Sequence, residues 1–150
     1  MPTRRAAGRK SGAPFYADSG LRFSCQQCHN CCRGAQPGWV FVGPRQTERM
    51  ARWLKLSLAD FRRRSLVRNP EGDTSLRLRP NGDCIFWDQG CTIYPVRPRQ
   101  CRTFPFWSEN LESREAWAEV QKTCRGAGQG RLYRLEEIRA VLHGRATVGS

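Results

Sequence analysis

Long apolar segments are absent from this sequence. No stretch approaches the roughly 18 residues of a membrane-spanning helix, and residues 1–20 hold no apolar run of the kind that a secretory signal peptide carries. Hydrophobic residues make up 39% of the 150 residues, which limits the core that the chain can bury. We therefore expect a cytoplasmic protein with one modest domain and no membrane contact.

Recognisable catalytic motifs are also missing. The sequence holds no Ser-His-Asp arrangement, no phosphate-binding loop and no dinucleotide motif. Asp83 and Asp88 fall in segments typical of turns, where Asp is common for backbone reasons, so neither is assigned as a catalytic carboxylate. The sequence leaves open whether the protein is an enzyme, favours one that is not, and assigns no catalytic residue.

Acidic residues are scarce: 13 stand against 26 basic residues, which gives a formal charge of +13. Residues 1–20 combine basic side chains with Gly, Ser, Pro and Ala, which is typical of a flexible arm preceding a domain at 21–150. The arm is interpreted as a solubilising tail, with a nucleic-acid contact as the alternative. Arg62–Arg64 and Arg68 are likewise interpreted as a solvated face, and contact with phosphate is the alternative. A protein partner also remains open.

Cysteine, by contrast, is abundant, with eight residues in the chain. They stand at Cys25, Cys28, Cys31, Cys32, Cys84, Cys91, Cys101 and Cys124. Such a set indicates either a disulfide framework or a metal site. Because thiols stay reduced in the cytosol, the expected location favours metal, and we predict all eight as metal ligands.

Spacing within the first cysteine cluster bears on the metal. Cys25, Cys28 and Cys31 repeat the two-residue gap with which proteins hold three corners of an iron–sulfur cube. The ferredoxin pattern would place its next cysteine at Ala35, so a remote thiol must complete the site. Zinc ribbons pair two CxxC knuckles, and a second one is missing here. A [4Fe–4S] cluster is therefore favoured, and zinc remains the alternative.

Cys31 and Cys32 are adjacent in the first cysteine cluster, and His29 lies inside the same cluster. Adjacent side chains in an extended segment point in opposite directions, so Cys31 and Cys32 are predicted to serve different sites or a bridging position. His29 is interpreted as an exposed loop residue rather than a ligand.

Local patterns predict a small, irregular, metal-stapled α+β domain with a short hairpin and a few short helices. Met50, Trp53 and Leu54 share one predicted helix face, and Ser57 is a good N-cap for a second helix. Four further elements are predicted: a buried strand at 39–42, a tight hairpin at 84–94, a helix at 113–122 and a helix at 135–143.

Several blocks of the sequence together resemble a known family. They are Cys25-x2-Cys28-x2-Cys31-Cys32, Gly82-Asp-Cys84-Ile-Phe86, Gly90-Cys91-Thr92-Ile93-Tyr94, Arg97-Pro98-x2-Cys101-Arg102-x-Phe104-Pro105 and Cys124-Arg-Gly126-x-Gly128-x-Gly130. In this order they resemble the CxxCxxCC cysteine-cluster family, also called the YkgJ family, over roughly residues 21–131. The resemblance implies chelation of zinc or iron. A related cysteine motif occurs in flagellin lysine methylases, within longer chains.

Three classes of function follow. The favoured one is a small cytoplasmic metal-binding protein whose cysteines hold an iron–sulfur cluster or zinc in a metal or redox role. The first alternative is a zinc-stapled module that binds nucleic acid or protein. The second is a cluster-dependent enzyme of redox or methyl-transfer chemistry.

Overall fold

The computed structural model of the chain describes residues 12–28, 30–32 and 38–148. Helices and short antiparallel strands occur together, which confirms the α+β class. The described chain divides into two compact units, called here the terminal unit (Met1–Cys28 and Thr103–Ser150) and the central unit (His29–Arg102). None of the described helices is long and apolar enough to span a membrane.

The described residues form five α-helices. They are α1 at Pro44–Trp53, α2 at Leu58–Ser65, α3 at Arg99–Thr103, α4 at Arg114–Thr123 and α5 at Leu135–Leu142. Single-turn 3₁₀ helices add Asn30–Cys32, Tyr94–Val96 and Glu109–Leu111. Capping explains two starts: the Ser57 hydroxyl accepts the Asp60 amide at 3.1 Å, and the Ser113 hydroxyl accepts the Ala116 amide at 3.1 Å.

Five short strands form two antiparallel sheets in the described chain. They are β1 at Leu21–Phe23, β2 at Val40–Phe41, β3 at Leu66–Arg68, β4 at Thr74–Leu76 and β5 at Arg131–Tyr133. In the terminal unit, β1 pairs with β5. In the central unit, the strand order is β2-β4-β3. The pairing of β1 with β5 joins residues far apart in sequence, and no local pattern predicted it.

The terminal unit has an aromatic core. Phe106 is 1% exposed and packs its ring against Trp117, Tyr133 and Phe23, with centroid distances of 6.1, 5.1 and 6.3 Å. Tyr16 is also buried, within a hydrogen-bonded turn. Part of the predicted arm therefore packs on this core, while residues 1–11 lie outside the described residues; the domain boundary at residue 20 stays a prediction.

The central unit has a smaller, mainly aliphatic core. Its buried apolar residues are Val42, Met50, Ala51, Phe61, Leu76, Phe86 and Ile93. Phe61 and Phe86 stack in parallel at 6.2 Å and provide its one ring pair among the described residues. The half-buried Cys84 and Cys91 pack against this core, which brings two predicted ligands beside it.

Two local predictions need correction. Trp53 does not face inward with Met50: it is 50% exposed, because the buried stripe of α1 is Thr47, Met50 and Ala51. The segment 84–94 reverses in a tight turn, but its pairing is limited to a single antiparallel bridge between Trp87 and Cys91 instead of two strands.

Candidate metal centre

The described cysteines divide between the two units. Cys25, Cys28 and Cys124 belong to the terminal unit, whereas Cys31, Cys84, Cys91 and Cys101 belong to the central unit. The Cys32 backbone lies in the 3₁₀ turn Asn30–Cys32, and its side chain is outside the described residues, as is His29. All seven described thiols are free of disulfides.

In the central unit, a turn brings Cys84 and Cys91 onto adjacent segments. The Asp88 amide donates to the Gly90 carbonyl at 2.8 Å, and the Thr92 amide and hydroxyl donate to the Phe86 carbonyl at 2.8 and 2.9 Å. These bonds close the reversal over a few residues. Cys84 therefore precedes this reversal of the chain, and Cys91 lies within it.

Cys101 lies on α3, a helix of one turn that side-chain amides hold in place. The Gln100 side chain accepts the Phe41 amide at 3.0 Å and donates to the Trp39 carbonyl at 2.9 Å. The Arg99 amide donates to the Gln46 side chain. Through these bonds α3 is fixed to β2 and α1, which positions Cys101 despite its short helix.

Three thiols of the central unit act electrostatically on a fourth, Cys101, and we call Cys31, Cys84, Cys91 and Cys101 the thiol quartet. Burial raises the pKa of Cys101, and the negative thiolates of the other three raise it further. Burial likewise raises the pKa of Cys84, with smaller contributions from Cys91 and Cys31. Because charge interactions fall with distance, these effects indicate that the other three sulfurs lie within electrostatic range of Cys101.

The side chains of the quartet are not arranged to hold a metal ion in this structure. In the described residues, no group of three or more His, Cys, Asp or Glu side chains has a geometry that would hold a metal ion. Its donor set nevertheless fits, because four soft thiolates suit zinc or an iron–sulfur cluster, and a bound cation would reverse the repulsion that raises these pKa values.

Arginines around the quartet offset thiolate charge. Arg79 lowers the pKa of Cys84, and Arg97 lowers that of Cys101. Arg79 also donates to the Trp87 and Ile85 carbonyls at 2.8 and 3.1 Å, so it holds the turn between Cys84 and Cys91. Sequence reasoning missed Arg79; its place directly before the Pro80–Asp83 turn was the available signal.

Arg97 and Arg102 donate to backbone carbonyls. Arg97 donates to the Tyr94 carbonyl at 2.8 Å and lies 3.8 Å from the centre of the Tyr94 ring. Arg102 donates to the Pro95 carbonyl at 2.7 Å. Burial lowers the pKa of Arg102, and the charges of Arg97 and Arg49 lower it further. Both guanidinium groups thus brace the 94–97 segment ahead of Cys101.

A backbone N–H points at sulfur in each unit. In the terminal unit, the Gln27 amide donates to the Cys25 sulfur at 3.4 Å, with Gln27 in the left-handed region at φ 49°. In the central unit, the Phe86 amide donates to the Cys84 sulfur and lowers its pKa. Each donor stands two residues after its cysteine. At Cys84 this bond favours the thiolate, which is the form that binds metal.

The loop that carries Cys124 packs against the residue preceding Cys25. The Ser24 amide donates to the Gly126 carbonyl at 3.2 Å, and the Arg131 amide donates to the Ser24 hydroxyl at 3.2 Å. A Cβ at Gly126 would collide with the Ser24 carbonyl, and one at Gly130 with the Ser24 hydroxyl. Because Gly126 and Gly130 have no side chain, the loop can lie this close to Ser24. Cys124 itself is 9% exposed and belongs to the core of the terminal unit.

The family model described as "CxxCxxCC: Putative zinc- or iron-chelating domain" matches residues 24–125 of this chain. The match covers more than half of the sequence and every cysteine, from Cys25 to Cys124. The chain therefore belongs to the CxxCxxCC family. No solved structure matches it.

Proposed function

We propose that this protein holds metal through cysteine thiolates and that the thiol quartet forms one four-thiolate site. The observation that carries the proposal is that Cys31, Cys84 and Cys91 all lie close enough to the buried Cys101 to raise its pKa, and that Cys91 and Cys31 do the same to Cys84. Four thiols near one another are unfavourable as separate thiolates, and a shared cation offsets that repulsion. Membership of a family described as a "Putative zinc- or iron-chelating domain" supports the binding of metal.

We propose an iron–sulfur cluster as the metal group, with a redox or sensing role. Cysteine spacing supports this, because the chain has no second CxxC knuckle of the zinc-ribbon type. Such a cluster would supply one-electron chemistry when bound. The chain's own residues would contribute the Phe86 amide that donates to Cys84, the positive charges of Arg79 and Arg97, and apolar cover from Ile93.

Three of the remaining cysteines are proposed as a second set of ligands. Cys25, Cys28 and Cys124 lie in the terminal unit, and Cys32 stays a predicted ligand that is assigned to neither set. The amide bond to Cys25 and the packing of the 124–130 loop on Ser24 support this assignment. Each unit is then expected to contribute to metal content separately.

Anaerobic purification followed by visible absorbance and analysis of iron, sulfide and zinc tests the proposal. A brown protein with iron and acid-labile sulfide is expected. A colourless protein with stoichiometric zinc would keep the thiolate site and replace the cluster by a structural metal. Protein that binds neither metal would overturn the proposal.

Paired variants test the division of the ligands. Cys101→Ser is expected to remove the metal of the quartet, and Cys124→Ser is the matched control because it removes a thiol from the terminal unit. The two variants should lose different spectral or metal components. Identical losses, with no further loss in the double variant, would show that all the thiols serve one site.

A further inference from the structure

A basic groove lies on the central unit, with a volume of about 540 Å³, and is lined by Arg49, Arg52, Trp53, Lys55 and Val96. The volume is in the range of small-molecule sites. All three charged residues are exposed, and none is a predicted metal ligand. The groove is therefore a feature that metal binding does not explain.

The outer face of α1 forms one wall of the groove. Arg49, Arg52 and Trp53 are three and four residues apart, so they share this face, opposite the buried Thr47 and Met50. Trp53 is the large hydrophobic side chain that the described chain leaves exposed, at 50%. Its indole N–H donates to the Thr92 carbonyl at 3.4 Å, which holds the ring in place while half of it stays open.

The cations of the groove are not neutralised nearby. Among the described residues, no carboxylate forms an ion pair with Arg49, Arg52 or Lys55. A helix C-terminus favours positive charge, which accounts in part for Arg52 and Lys55. The charge preference of a helix C-terminus does not explain why the Trp53 indole is exposed, nor why Lys55 has a left-handed backbone conformation.

Lys55 has φ 56°, in the left-handed region where glycine is the usual residue. Its amide donates to the Arg52 carbonyl at 3.1 Å, and the next amide, of Leu56, donates to the Ala51 carbonyl at 2.9 Å. This turn ends the helix, and glycine would adopt it with less strain. A lysine here costs stability and adds a third positive charge to the groove, which indicates a role outside folding.

We propose that the groove binds a nucleotide unit, with the base stacked on Trp53 and the phosphate contacted by Arg49, Arg52 and Lys55. Positive side chains beside an aromatic ring are the arrangement with which proteins hold single-stranded nucleic acid. An acidic peptide would satisfy the charges but would leave the flat indole face without a planar partner. The proposal is independent of the identity of the metal.

Fluorescence anisotropy with a labelled single-stranded oligonucleotide and the metal-loaded full chain tests this. A free nucleoside monophosphate and inorganic polyphosphate serve as unlabelled competitors. The oligonucleotide is expected to compete well and polyphosphate poorly, because polyphosphate has no base. If the monophosphate competes as well as the oligonucleotide, the groove takes a free nucleotide; if it does not, the source is a nucleic-acid chain.

Variants separate the groove from general charge. Trp53→Ala is expected to weaken binding about tenfold, the loss that one stacked base implies, and Trp53→Leu repeats the test with an apolar side chain retained. Lys55→Gly should weaken binding while raising the thermal midpoint. Arg52→Ala should weaken binding more than Arg64→Ala, which removes the same charge from the exposed face of α2.

Three results would overturn the proposal. They are unchanged affinity in both Trp53 variants, equal losses in Arg52→Ala and Arg64→Ala, and polyphosphate competing as strongly as the oligonucleotide. Each would show that binding, if present, depends on net charge alone.

Discussion

The two units bury different kinds of core. The terminal unit surrounds Phe106 with Trp117, Tyr133 and Phe23, whereas the central unit relies on small and aliphatic side chains with a single stacked ring pair. Aromatic side chains bury more area than aliphatic ones. The unit with the smaller core also holds the thiol quartet. We infer that apolar burial stabilises the terminal unit and that the central unit depends on metal.

Removal of metal should produce the largest difference between the units. Structural metal contributes on the order of 10 kcal/mol to small metal-dependent domains, so chelation should abolish the protection of amides in α1, α2 and β4. Amides of α4 and α5 should keep much of theirs. Hydrogen exchange followed by mass spectrometry, with holo and chelated protein, measures this. Equal loss of protection in both units would contradict the comparison.

Core truncation should separate stability from metal content. Phe106→Ala is expected to cost about 3–5 kcal/mol, because the ring is buried and contacts three other rings. The metal of the quartet, which is the component that Cys101→Ser is expected to remove, should stay close to that of the parent. Denaturant unfolding and metal analysis check the two expectations.

Phe61→Ala is the matched variant in the central unit. Phe61 is 0% exposed and stacks on Phe86, whose amide donates to the Cys84 sulfur. This variant should lower metal content as well as stability. Loss of the quartet's metal from Phe106→Ala, or its full retention in Phe61→Ala, would show that this metal does not belong to the central unit in the way proposed.

Local signals in the sequence predicted most of the helices correctly. Pro44, Ser57 and Ser113 mark the starts of three of them, and Gly144, with φ 74°, follows the end of α5. Caps act within a few residues, so their effect can be read from a single sequence. The prediction for Trp53 was wrong because spacing does not distinguish the buried stripe of a helix from its margin.

The sequence did not predict which strands pair with each other over long distances along the chain. β1 pairs with β5 across about a hundred residues, and each strand has three residues, too few for a reliable alternation. The division of the cysteines between the units was equally hidden, because chain neighbours such as Cys28 and Cys31 fall on different sides of it. Cysteine spacing predicted metal ligands, and it could not predict which thiols are neighbours in space.

The close packing of the 124–130 loop on Ser24 can be tested by adding a single Cβ. Gly126→Ala should destabilise this unit by about 1–3 kcal/mol, since the added carbon would meet the Ser24 carbonyl and the backbone must shift. Gly43→Ala is the control, because its Cβ would meet nothing closer than the Gln46 side chain at 3.6 Å. Thermal unfolding compares the two. A larger effect for Gly43→Ala would mean that the close packing of the 124–130 loop on Ser24 contributes little.

The smallest expected effect is a pH dependence of the terminal unit. Burial raises the pKa of Tyr16 above its ordinary value of 10.0, against a smaller lowering by Arg139. Above pH 10 the unfolded chain therefore releases this proton while the folded chain keeps it, so the stabilising contribution is complete below pH 10 and is lost as the pH rises through the folded pKa.

Tyr16→Phe removes the titration while retaining the ring that packs against Phe15 at 5.1 Å. Urea midpoints measured on the metal-loaded protein should match the parent at neutral pH, and the variant should become the more stable of the two at strongly alkaline pH. Parallel pH curves for parent and variant would show that Tyr16 ionises alike in the folded and unfolded chain.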